Sequence, residues 1–196
     1  MPNWCSTSYT LLGRAGDVEK AYKALHALEE TKRSQDVEPW SFLKDSRWLG
    51  YVVQDVLGKS PDDVKCRGTF SNLSLTEHDG RPGIGLFTET AWGPCTDMWR
   101  LFANKFHLSL NYIADEPGCC LYEKESPDGV YPTSYVLDSD WEGREYFDTL
   151  EEFIKAYGEQ LGIPQGSTSE QVEAIVDSRS DCSLHRYEAD DDATRP

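Results

Sequence analysis

The link His78-Asp79-Gly80-Arg81-Pro82-Gly83 constrains this chain more than any other stretch. It gathers turn formers between two segments of alternating apolarity. Thr69 to Glu77 carries Leu73 and Leu75, and Ile84 to Ala91 carries Ile84, Leu86 and Thr88. Two alternating runs joined this way predict an antiparallel hairpin. The chain must therefore build an antiparallel sheet and cover at least one of its faces.

The surrounding periodicities supply the cover. Ser8 to Leu12 reads as a first strand closed by Gly13. From Asp17 the period becomes helical, with Val18, Ala21, Tyr22, Leu25 and Leu28 on one face. Pro39 marks a break, and a second helix is expected over Arg47 to Leu57, capped by Gly58. A short helix after Pro94 and Thr96 carries Met98, Trp99, Leu101, Phe102 and Phe106. Strands are expected at His107 to Ile113, Cys119 to Lys124 and Pro132 to Leu137. Thr149 and Glu152 form a capping-box signal for a last long helix, and Ser167 with Glu170 repeats it for a shorter one. Without the second helix, the order is the β-α-β-β-α-β of a ferredoxin-like core. The expected class is α+β: that core, an inserted helix, and C-terminal strand and helix additions.

Length and composition agree with a folded domain. A chain of 196 residues with 38% apolar and 12% aromatic residues can enclose a core without disulfides or metal. No apolar run approaches the roughly 18 residues that span a bilayer. The opening MPNWCSTSY lacks the basic region and apolar core of a signal peptide, so a cytoplasmic location is expected. Six cysteines in that setting are expected as free thiols.

Motifs for chemistry are sparse. His26, His78, His107 and His185 are widely separated, with no metal-ligand spacing. Gly80, Gly83 and Gly85 fall inside the hairpin, where they cannot aim backbone amides at a phosphate from a helix start. No G-x-S-x-G elbow is present. Cys5, Cys95 and Cys120 are open as nucleophiles or as buried filler, and the pairs Glu123/Glu125 and Asp138/Asp140 as cation ligands or chance neighbours. No cofactor, metal or catalytic residue is assigned.

Charge is the strongest departure from an ordinary domain. The net charge is −16, and its distribution is uneven. Residues 1–127 hold 18 acids and 14 bases, a net of −4, whereas residues 128–196 hold 17 acids and 5 bases, a net of −12. Such a surface repels a phosphate backbone and so argues against direct DNA or RNA binding. It can instead imitate that backbone and occupy a basic groove. The candidate partner-binding residues are Asp138, Asp140, Glu142, Glu145, Asp148, Glu151, Glu152 and Glu159, with Trp141 and Tyr146 as apolar anchors. The competing reading is a solvated face that maintains solubility.

Three ordered segments carry a resemblance. Met1-Pro2-Asn3-Trp4-Cys5, Phe87 to Trp92 followed by Gly93-Pro94, and Trp99 to Phe106 with Leu110 to Tyr112 and Glu116-Pro117-Gly118 resemble a family of phage- and plasmid-encoded small proteins with a ferredoxin-like domain. Thr7 stands where that family has an asparagine, so no role of that side chain is carried over. The resemblance covers much of residues 1–125 and implies the ferredoxin-like core and a mobile-element setting, but assigns no activity. In that setting, the acidity is similar to that of anti-CRISPR proteins that act as DNA mimics. The resulting expectation is a non-enzymatic inhibitor of a host nucleic-acid-binding defence complex, such as a CRISPR surveillance complex, in the bacterial cytoplasm. A small-molecule or nucleotide-acting enzyme and an acidic structural or adaptor protein are the alternatives. The expected organisation is a core over 1–125, an acidic extension over 126–184 packed on it, and a flexible acidic tail over 185–196.

Overall fold

The computed structural model describes residues 3–33 and 42–188. Met1 and Pro2 of the opening motif, the expected break at Pro39 and the acids at 190–192 lie outside the described residues. The chain is α+β and divides into two compact units, residues 1–131 and 132–196.

In the first unit, β1 (Trp4–Leu12), β2 (Gly68–His78), β3 (Arg81–Ala91), β4 (Ser109–Glu116) and β5 (Leu121–Glu125) form one sheet in the order β2-β3-β1-β4-β5. Every neighbouring pair is antiparallel. The expected hairpin is β2–β3, closing at His78 opposite Arg81. Gly68 is required where β2 meets β3, because a Cβ there would lie 2.2 Å from the Glu89 carbonyl oxygen.

Helices α1 (Ala15–Glu30) and α3 (Thr96–Phe106) bring Leu25, Leu28, Trp99 and Phe102 into the same core as Tyr9, Leu11, Ile84 and Tyr112 of the sheet. The second expected helix takes a different form. It is a single turn, α2 (Leu49–Tyr51), that widens into a π-helix over Val52–Leu57 and ends on Gly58 at φ 70°. The buried positions Leu49, Val52 and Val53 do match the inward face. What periodicity missed is the hydrogen-bond step, since a side-chain pattern over so few residues does not separate the two helix types.

On the opposite sheet face, a loop after β5 brings Asp128 and Tyr131 back over the strands. The Asp128 carboxylate accepts hydrogen bonds from Ser109, from Asn111 Nδ2 at 2.7 Å and from Arg81, which is also its ion-pair partner. Tyr131 and Thr10 share a hydroxyl–hydroxyl bond at 2.9 Å. Asn111 is wholly buried, and its amide bonds pin the loop to β4.

The second unit contains β6 (Tyr135–Ser139), β7 (Gly143–Phe147), α4 (Leu150–Leu161), α5 (Ser169–Asp177) and β8 (Cys182–Arg186). Its three-stranded sheet has the order β7-β6-β8 and is antiparallel. Leu137 and Leu184 meet Phe153, Ile154, Val172 and Val176 in a separate core. The capping box of α4 forms as expected, with Thr149 Oγ1 accepting from the Glu152 amide at 3.2 Å. That of α5 sits one residue later, on Thr168 and Gln171, while Ser167 donates to the Pro164 carbonyl. The stretch from 185 continues as strand through Arg186, and Tyr187 is buried.

Candidate functional site: the acidic surface of the second unit

The hairpin β6–β7 and helix α4 position the candidate residues. Along α4, Glu151, Glu152, Lys155 and Glu159 fall within about 100° of arc, because 3.6 residues complete a turn. The inward positions Phe153, Ile154 and Leu161 are buried, so the charged arc is the solvent face. Glu151, Glu152 and Glu159 are exposed.

Several candidates have intramolecular duties. Glu152 Oε2 accepts from the Asp148 and Thr149 amides, so it holds the start of α4. Glu145 accepts from the Tyr157 hydroxyl, and that bond pushes the Tyr157 pKa up to about 12. Asp138 pairs with Arg144 at 2.8 Å, and Asp148 accepts from Thr133 Oγ1 at 3.2 Å. Asp140, Glu142, Glu151 and Glu159 are exposed, and their carboxylates make no ion pair or hydrogen bond among the described residues. The structure thus separates carboxylates that build the unit from those that only face water.

The two proposed anchors also part company. Tyr146 is 51% exposed. Trp141 is half-buried, packs against the unit's core, and lies under the Arg179 guanidinium at 5.9 Å. Its indole serves the fold.

Sequence reasoning missed one polar grouping on the sheet face opposite the helices. Ser183 and His185, two apart on β8, face the same way, and Ser183 Oγ lies 3.0 Å from His185 Nε2. Asp138 stands opposite Ser183 on β6. Burial pulls the His185 pKa below its ordinary value. The signal was present as the i, i+2 spacing, but without β8 it had no face to belong to.

Among the described residues, no three His, Cys, Asp or Glu side chains are grouped to hold a metal ion. Burial pushes the Cys5 thiol up to about 11 and the Cys95 thiol up to about 12, so both are protonated at neutral pH. One surface hollow of about 460 Å³ has Asp55 and Lys105 on its rim, with Asp55 already paired to Arg33 at 2.9 Å. Another of about 440 Å³, beside Gln165 and Gln171, is lined by no charged side chain. Among the described residues, no helix is long and apolar enough to cross a membrane.

Comparison of the chain with protein-family models, curated proteins and solved structures finds no match.

Proposed function

We propose that this chain is a non-enzymatic inhibitor of a host nucleic-acid-binding defence complex, of the anti-CRISPR kind, in which the second unit stands in for a DNA phosphate strand. The carrying observation is the solvent face of α4, where carboxylates are fixed on a capped helix over a packed core. Fixed charges lose little freedom when a partner meets them.

Charge density selects the form of the mimicry. From Glu151 to Glu159 the helix rises about 12 Å at 1.5 Å per residue. Over that length one DNA strand presents three to four phosphates and a duplex about seven. The face offers three carboxylates and the Lys155 ammonium. It therefore fits a groove that tracks one strand better than one that grips both. Exposed ion pairs contribute only about 0–1 kcal/mol each, so Tyr146 is assigned the apolar share of the affinity. In this reading the first unit is a ferredoxin-like scaffold. The strand order β4-β1-β3-β2, with α1 and α3 as its connections, supports that assignment.

The test is capture of the partner from host lysate at low and high salt, with and without competing DNA. The reading requires a partner that salt weakens and DNA displaces. The variant E142K/E151K/E159K removes only carboxylates that make no intramolecular bond among the described residues, so it should lose the partner and keep its far-UV circular dichroism. Retained capture by that variant, or capture indifferent to DNA, overturns the reading.

A further inference from the structure

One end of the five-stranded sheet holds a carboxylate that the fold leaves half-used. Glu116, the last residue of β4, is 2% exposed. Its Oε1 accepts from the Gly118 amide at 3.0 Å and the Cys119 thiol also hydrogen-bonds to this carboxylate, whereas its buried Oε2 has no hydrogen-bond partner among the described residues. Buried polar atoms are almost always paired, so such an oxygen calls for an explanation.

The surroundings point to one kind of occupant. Asn3 lies against Glu116 and Gly118: a Cβ on Gly118 would sit 2.6 Å from Asn3 Nδ2 and 2.9 Å from Glu116 Oε1. Asn3 Nδ2 also reaches Cys119 Sγ at 3.4 Å. On its other side, the Asn3 carbonyl accepts from the Trp92 amide at 3.0 Å, which ties the Trp92 backbone to that of Asn3. The Trp92 ring is 55% exposed and has no cation or aromatic partner among the described residues. The loop carrying it is rigidly tied: Thr90 Oγ1 donates to the Gly93 carbonyl at 2.6 Å, and the Tyr9 hydroxyl to that of Pro94.

An open indole face attracts cations, and a carboxylate oxygen without a donor attracts N–H groups. We propose that the end of the sheet that carries Asn3, Trp92 and Glu116 binds an organic cation with N–H donors, a guanidinium or primary ammonium group. The cation lies against Trp92 and donates to Glu116, while the Asn3 side-chain oxygen takes a further N–H. The proposal uses the first unit alone and stands apart from the acidic surface of the second. Parts of all three segments that carry the family resemblance supply the site, namely Asn3, Trp92 and Glu116.

The full chain, ¹⁵N-labelled, is titrated with ethylguanidinium while the Gly118 backbone and Asn3 side-chain amide signals are followed. A saturable shift is expected, weakened about tenfold by E116Q and about threefold by W92A. W4A is the control, because Trp4 follows the opposite strand alternation from buried Cys5 and is exposed to a similar degree as Trp92. It should leave the titration unchanged. Tetramethylammonium, which has no N–H, should bind more weakly and be weakened less by E116Q, since it loses only the charge attraction and no hydrogen bond. Tighter binding of blocked Gly-Arg-Gly than of ethylguanidinium marks a protein side chain as the source, and the reverse marks a free small cation. No saturable shift, or equal affinity in wild type and W92A, overturns the proposal. W92A changes an exposed side chain, so it decides the matter even if E116Q fails to fold.

Discussion

Asp128 shows how a single residue ties a loop to a sheet. Burial alone would raise its pKa, but hydrogen bonds from Ser109, Asn111 and Arg81 outweigh burial and hold it below the usual carboxylate range. A carboxyl depressed in the folded state stabilises the fold above its unfolded pKa of about 3.9. That contribution is lost as pH falls through the lower folded value. Urea unfolding followed from pH 6 to pH 2 should therefore show wild type losing stability below about pH 4. D128N should lose less over the same range, having started lower. D128A should cost about 2–4 kcal/mol, because it leaves the Asn111 amide and Arg81 without their acceptor. An equal acid slope in wild type and D128N would remove Asp128 from this role.

At the scale of elements, the capping box of α4 both starts the helix and fixes the carboxylate arc. T149A removes the acceptor for the Glu152 amide and should cost about 1 kcal/mol in chemical denaturation. A loss below a few tenths would mean that packing of Phe153 and Ile154 alone sets the helix start. The same geometry makes Glu152 unsuitable for charge reversal, since its loss would disturb the helix as well as the surface.

Elements with their own punctuation were legible in the sequence. The β2–β3 hairpin announced itself through its turn formers, α1 through its stripe, and α4 through Thr149 and Glu152. Strands β7 and β8 were not legible. β7 reads Gly143-Arg144-Glu145-Tyr146-Phe147, in which only Phe147 joins the core. β8 reads Cys182-Ser183-Leu184-His185-Arg186, in which Leu184 is the single buried apolar residue. Strands that bury so little acquire their identity from β6, on which both pair. The acidic surface was legible as composition, but its division into structural and free carboxylates depends on partners such as Tyr157 and Arg144 that lie on other elements. The Asn3, Trp92 and Glu116 grouping unites positions far apart in the chain and has no local signature.

For the whole molecule, charge works against the fold. Thirty-five acids face nineteen bases, so mutual repulsion outweighs the ion pairs. Raising sodium chloride from 0.05 to 0.5 M shortens the screening length from above 10 Å to a few ångströms. The melting temperature should rise by a few degrees, and a fall would show that the ion pairs dominate instead.

Trp92 adds an account of how the sequence has been shaped. Its backbone stands at φ 72°, a region that favours glycine, with a large ring turned to water. Packing asks for neither. W92G should relax the backbone and stabilise the chain by about 1 kcal/mol, measurable by chemical denaturation, while weakening the response to ethylguanidinium about threefold. Selection for foldability alone would then have discarded this tryptophan. A library sorted only for thermal resistance should drift toward glycine at this position, and one sorted for retention of its ligand should not.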